Sequence, residues 1–212
     1  MKSFLVNLSV ADFMAKLASK EPTPGGGSAA ALSGVMGISL VQMVASLTLG
    51  RKKYADHEGL MNDILAASTT LHLDLLNAID IDSDAYNQVS AAFGMPKETD
   101  EEKAARSAKI QEATIIATKS PFDILTKCLD GLKLAHKAIG KSNTNAASDL
   151  GVAATNLLAG VSGAWMNILI NLPGIKDETF AADMRKQGED GVAQASKLWE
   201  EINNYVMQEI NQ

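Results

Sequence analysis

Two stretches of the chain, 22–50 and 150–175, contain no ionisable side chain, while most of the other long segments carry apolar residues at three- and four-residue spacing with charges between them. The first pattern belongs to helices covered on most sides and the second to amphipathic helices that do the covering. Ser9, with Asp12 three residues on, opens a first helix whose apolar face is Val10, Phe13, Met14 and Leu17 and which stops before Pro22. A central helix is expected over 28–49, with Ser28 as its N-cap behind the Pro24-Gly25-Gly26-Gly27 turn and Gly50 as its end. A very long helix follows over 56–93, carried by Leu60, Ile64, Leu71, Leu75 and Ile79 and ended by Gly94 and Pro96.

Residues 97–107 form a charged entry to a fourth helix, in which Ser120-Pro121 predicts a restart or kink before Ile124, Leu125, Leu129, Leu132, Leu134 and Ile139 lead to Gly140. The second uncharged helix is expected over 146–172 and a last amphipathic one over 177–210. No run alternates with the two-residue period of a strand. The fold class expected is all-α, an antiparallel helical bundle with two buried, uncharged central helices, in a single domain spanning 1–212.

Composition narrows the function. A net charge of −6 and a pI near 5.1 argue against nucleic acid as a partner, because that surface needs a basic face. The single cysteine, Cys128, excludes an intramolecular disulfide framework and fits the reducing cytoplasm. Residues 1–4 lead into a polar amphipathic stretch without a long apolar core, so no secretory signal is expected. Both uncharged runs exceed the roughly 20 residues that span a bilayer. Their frequent Ser, Thr, Asn and Gln, and the charged faces of the other helices, favour a soluble bundle with no membrane partner.

Standard site signatures are missing: no CxxC, HExxH, GxSxG, Walker sequence or GxGxxG opening from a strand. His57, His72 and His136 fall on different helices, so no metal site is expected. The candidate chemistry lies in polar groups on the uncharged helices. At about 100° per residue, Ser28, Ser39, Gln42 and Ser46 share one sector of the first. Asp149, Asn156, Asn167 and Asn171 share one on the second, beside Gly160 and Gly163, whose missing side chains leave room. Such groups need partners, either one another or a ligand. Asp80, Asp82 and Asp84 interrupt the third helix just before Tyr86; clustered carboxylates raise one another's proton affinity, which suits acid/base work, although an acidic run is also a common solvated face. Arg51, Lys52 and Lys53 follow the C-terminal end of the central helix.

The segments PTPGGGSAAALSGVMG with TLGRKKY, DSDAYNQVSAAFGMPK, and SNTNAASDLGVAA followed by MNILINL resemble, in that order and over nearly the whole chain, the cyclodeaminase/cyclohydrolase family of tetrahydrofolate enzymes. The resemblance implies an all-helical, homodimeric enzyme acting on the one-carbon unit between N5 and N10 of a folate, with no tightly bound cofactor. It implies Gly25, Gly26, Gly27 and Ser28 as a folate-contacting turn, Tyr86 as a further substrate-binding residue, and Lys53 for substrate carboxylate or proton handling. Asp82 becomes the acid/base group, with Asp149 as the other candidate, and Ser148, Asp149, Asn167 and Asn171 the wall opposite. Arg51 stands where the family often has Gly-Lys-Lys-Tyr without an arginine, and Gly94 where it has a bulkier residue. The formiminotransferase portion of the bifunctional members is not in this sequence, which favours methenyltetrahydrofolate cyclohydrolase over formimidoyltetrahydrofolate cyclodeaminase. A non-catalytic folate-binding dimer is the reading from outside enzymology.

Overall fold

The computed structural model describes residues 4–211, so the first three residues of the stretch read for a secretory signal lie outside it. Among the described residues there are six α-helices and no strand: α1 (Val10–Leu17), α2 (Gly26–Thr48), α3 (Glu58–Phe93), α4 (Asp100–Lys137), α5 (Ala147–Asn171) and α6 (Glu178–Ile210). Short 3-10 turns at Leu5–Asn7, Lys52–His57, Thr144–Ala146 and Leu172–Gly174 join or precede them.

Local chemistry explains most of the ends. Ser9 caps α1 by accepting from the Asp12 N–H, and Thr99 with Glu102 forms a reciprocal capping box at the start of α4. Gly50 and Gly140 adopt positive φ (+73° and +67°) just past α2 and α4, the left-handed conformation in which a residue with a Cβ is strained. Two expectations fail. Ser28 is not the N-cap of α2; Gly25 is, and Ser28 lies inside the first turn with its hydroxyl buried. The fourth helix does not restart at Pro121 but runs through it without interruption.

The two uncharged helices lie side by side and antiparallel. Gly26 faces Asn167, Gly37 faces Leu157 and Ala153, and beyond Thr48 the Asn143 N–H donates to Thr48 Oγ1 at 2.8 Å. Asn143 Nδ2 also donates to the Leu47 carbonyl, and the Thr144 N–H to the Tyr54 hydroxyl, tying the end of α2 to the approach to α5. Close approach depends on small residues: a Cβ at either Gly34 or Gly160 would come within 2.6 Å of Cys128 Sγ on α4. The room expected beside Gly160 and Gly163 is therefore filled by protein, with Cys128 and Ala30 in it. Burial pushes the Cys128 thiol up to about 12, so it remains protonated and acts as a small core residue.

Helices α3, α4 and α6 pack against the inner side of this pair with Met61, Ile64, Leu75, Leu125, Leu132 and Ile202 between them. The stretches Gly26–Thr48, Lys52–Phe93 and Thr144–Gly174 are long and apolar enough to cross a membrane by length and composition. The polar sector of α2 is satisfied within the protein. Ser39 bonds to the Val35 carbonyl and to His72 Nδ1, and Gln42 donates to Thr69 on α3; Ser46 is exposed.

Candidate active site

A cleft of about 350 Å³ opens where the start of α2, the C-terminal half of α3 and the end of α5 meet. Its wall contains Gly25, Gly26, Gly27, Asp82, Tyr86, Asn167 and Asn171, together with Pro22, Thr23, Ala85, Val89, Ala117 and Ile170. Because Gly25 precedes the first turn, the N–H groups of Gly26, Gly27 and Ser28 have no acceptor within α2, whose first helical bond is Ala29 N–H to Gly25 O. The glycines let other groups touch this bare backbone. A Cβ at Gly27 would collide with the Asp82 carboxyl group, and one at Gly26 would lie 3.1 Å from Asn167 Nδ2.

Asp82 is thus seated on the N-terminus of α2. The Ser28 hydroxyl, 3.4 Å from Oδ2, and the Ser28 backbone N–H both favour its charged form, but burial outweighs them and raises its pKa above the ordinary 3.8. The clustering of Asp80, Asp82 and Asp84 does not produce this shift. Asp80, only 8% exposed, turns the other way and accepts from the Leu5 and Val6 N–H groups at 2.7 and 3.3 Å, pinning the segment before α1 to α3. Ser28 sits just behind the cleft, where its hydroxyl donates to the Ile79 carbonyl at 2.8 Å and meets Ser83 Oγ at 3.0 Å.

Two asparagines form the far wall, and their amide groups are spoken for on one side only. Asn167 Nδ2 donates to the Gly163 carbonyl, and Asn171 Nδ2 to the carbonyls of Asn167 and Ala117. Hydrogen bonding thus assigns both nitrogens to protein and leaves both Oδ1 atoms as acceptors. The Ala117 bond has a cause in the sequence. Pro121 lies four residues on and has no N–H, so the Ala117 carbonyl would otherwise lack its helical donor. Asn171 fills the vacancy at 2.9 Å, and the proline thereby orients a cleft residue on another helix. Replacing Pro121 with Ala supplies a competing N–H. We expect an unchanged or higher melting temperature and a KM raised about two- to tenfold with kcat nearly constant, the size of one displaced hydrogen bond. Steady-state kinetics would refute this if KM did not move.

Of the eleven site residues marked in the sequence, the cleft brings seven together, Ser28 lies just behind it, and three are left out. Lys53, Ser148 and Asp149 lie at the opposite end of the α2/α5 pair: Asp149 is about 27 Å from Asn167 along one continuous helix, and Lys53 follows the far end of α2. Asn156, read as part of the same polar sector, spends its amide on the Val152 carbonyl. Pro22, Thr23, Ala117 and Ile170 gave no polar signal in the sequence. Only the Pro121 register pointed to Ala117. Among the described residues, no three His, Cys, Asp or Glu side chains converge to hold a metal ion.

Comparison with known proteins gives three concordant results. The family profile described as formiminotransferase-cyclodeaminase matches residues 9–190. The chain is 42% identical to a methenyltetrahydrofolate cyclohydrolase of Methylorubrum extorquens, over 97% of this chain and 99% of that protein. It is 30% identical to the pig (Sus scrofa) formimidoyltransferase-cyclodeaminase, over 86% of this chain but only 34% of that protein. The crystal structure of a formiminotetrahydrofolate cyclodeaminase from Thermotoga maritima superposes with a TM-score of 0.87 at 30% identity, covering 95% of this chain and 97% of that one.

Proposed function

The chain belongs to the formiminotransferase-cyclodeaminase family, and we propose that within it the protein is the methenyltetrahydrofolate cyclohydrolase, converting 5,10-methenyltetrahydrofolate and water to 10-formyltetrahydrofolate. The observation that carries the reading is the Asp82 carboxyl group, held by a helix N-terminus in a cleft whose opposite wall offers two amide oxygens.

Each part matches the substrate. The methenyl bridge is an amidinium cation, and a carboxylate beside it stabilises the positive charge. Water adds to the bridge carbon as Asp82 takes its proton, giving a neutral carbinolamine. The C–N5 bond then breaks, N5 recovers a proton from Asp82, and the carbon stays on N10 as a formyl group. The sum releases one proton to solvent, as the charge balance of cation plus water requires. The Oδ1 atoms of Asn167 and Asn171 accept from the N–H edge of the pterin, and Tyr86, Val89 and Ile170 supply apolar contact to its rings. These steps use only side chains of the protein, and the reading includes no resident cofactor.

A second reading keeps the site and changes the leaving group: ring closure of a formimino compound with loss of ammonia, the activity named for the Thermotoga relative. The near full-length similarity to a cyclohydrolase favours water over ammonia. The distinguishing experiment follows methenyltetrahydrofolate absorbance and, separately, ammonia release from the formimino substrate. Enzyme-dependent loss of the absorbance is expected; ammonia release without it would transfer the assignment to the cyclodeaminase. We further infer a homodimer working in the cytoplasm, with the apolar outer faces of α2 and α5 covered by a second copy instead of lipid. Supporting this are the reduced, buried Cys128 and the charged outer faces of the remaining helices.

A further inference from the structure

Behind the cleft, α2 and α3 are joined by two serine hydroxyls that the reaction steps above do not use. Ser28 is fully buried, Ser83 is 6% exposed, and neither lines the cleft. Ser28 Oγ lies 2.8 Å from the Ile79 carbonyl, 3.0 Å from Ser83 Oγ and 3.4 Å from Asp82 Oδ2. A hydroxyl carries one proton, so Ser28 donates to one of these at a time. The carbonyl and the ionised carboxylate have no proton to give. Whichever of them Ser28 serves, its contact with Ser83 requires Ser83 to be the donor.

The two acceptors are not equivalent. Within α3 the Ile79 carbonyl already has its helical donor, the Ser83 N–H, so it gives up the Ser28 bond at small cost. The Asp82 carboxylate stands where burial works against its charge and has more to gain from a donor. Turning the proton is a rotation about Cβ–Oγ, and a shift of about 0.7 Å then brings the two oxygens to the length of a charge-assisted bond. Donation from Ser83 into Ser28 Oγ polarises the Ser28 O–H and strengthens the bond it makes onward. Among the described residues, few other charges bear on Asp82. Helix α2 has no ionisable side chain and α5 has Asp149 alone, at its far end. On α3, Asp80 is held by the Leu5 and Val6 N–H groups, and Asp84 and Tyr86 follow. Lys119, two residues past Ala117 on α4, lies over the Phe180 ring, and Lys20 and Glu21 ahead of α2 are exposed.

We propose that Ser83 is a positioning residue acting through Ser28: it holds Ser28 as a donor, whose single proton points to the Ile79 carbonyl while Asp82 is protonated and turns to Asp82 when that carboxyl is ionised. Ser28 keeps its proton throughout. The proton that Asp82 takes from water and returns to N5 does not travel along the pair; the hydrogen bond follows the charge, and the support arrives from inside the protein without a water entering from the cleft. The effect of the pair on turnover rests on the cyclohydrolase reading; its effect on the protonation of Asp82 does not.

Carbon-13 NMR of protein labelled at the aspartate carboxyl carbons, with the Asp82 signal assigned by its loss in Asp82→Asn, reads that protonation without substrate. Ser83→Ala should raise the midpoint of the Asp82 titration by about 0.3 to 1 unit, the size of one weakened hydrogen bond. Ser28→Ala should raise it by at least as much. Adding Ser83→Ala to Ser28→Ala should raise it no further, because Ser83 acts only through Ser28. A loss of packing alone would lower the melting temperature and leave the midpoint in place. An unmoved midpoint in Ser83→Ala, or an equal rise in the Ser28→Ala background, overturns the proposal. In turnover of methenyltetrahydrofolate, the acid limb of kcat should move with the midpoint in Ser83→Ala while KM stays within about twofold, since neither hydroxyl reaches the cleft. An acid limb that stays put in an active enzyme overturns the part of the pair in turnover. Midpoints that shift as stated, in a protein inactive on both folates, would overturn the proposed function and leave the hydroxyl pair standing.

Discussion

Asp82→Asn is expected to lower kcat by about 10²- to 10⁴-fold, the range lost when a positioned proton carrier is removed. The amide keeps the shape of the side chain, so its seat against Gly27 remains filled and helical content should not change. It cannot take a proton from water or return one to the departing nitrogen. The pH behaviour separates this role from a merely structural one. In the wild type, activity should fall on the acid side as Asp82 becomes protonated, at a pH above the ordinary carboxylate value of 3.8, because burial raises its pKa. The same shift bears on stability with a definite sign. A folded-state pKa above the unfolded one means that the contribution of Asp82 to stability is complete below the unfolded value and is lost as pH rises through the folded one. The asparagine variant has no such loss. Its melting temperature relative to wild type should therefore improve across that window, while its turnover stays low at every pH. A variant retaining near wild-type kcat would remove Asp82 from the mechanism.

Gly27→Ala should be nearly as damaging to catalysis by a different route. The new methyl group occupies the position of the Asp82 carboxyl, which must leave the N-terminus of α2. Since the group displaced is the end of a side chain beside an open cleft, the cost to stability should sit near the low end for overpacking, about 1 kcal/mol. The loss in kcat should be about 10²-fold or more, because the carboxylate is moved from the reacting carbon and stripped of the Ser28 donors. Gly26→Ala is the control. Its Cβ would crowd an amide nitrogen at 3.1 Å, a contact that small shifts relieve, and its effect should fall mainly on KM. Equal kcat for the two alanine variants would contradict this account.

The central helices were readable in the sequence because a long run without charges has few other places to go. Gly50 and Gly140 were readable as stops because a positive φ is written in the residue type. Ser28 was misread because its strongest partner, the Ile79 carbonyl, lies on another helix, and nothing local announces it. Pro121 reads locally as a restart or kink because the donor that compensates for it, Asn171, is fifty residues away in the chain. The assignment of Lys53, Ser148 and Asp149 to the same wall as Asn167 and Asn171 illustrates a general loss of information. A helical wheel keeps the angle of each residue and discards its height, and here the discarded height is about 27 Å. Asp82 and Tyr86 lie on α3 and the three glycines at the start of α2, and their meeting at one cleft is a product of tertiary packing.

The Asp80 clamp sets the limits of any fragment chosen for expression. A fragment cut to the matched segment, 9–190, would discard the Leu5 and Val6 amides and leave a carboxylate buried without donors, two residues from Asp82. It would also shear off Ile202 and Val206, which lie in the core. Engineering of this enzyme should therefore respect both flanks of the recognisable sequence, and place purification handles away from the arm that Asp80 holds.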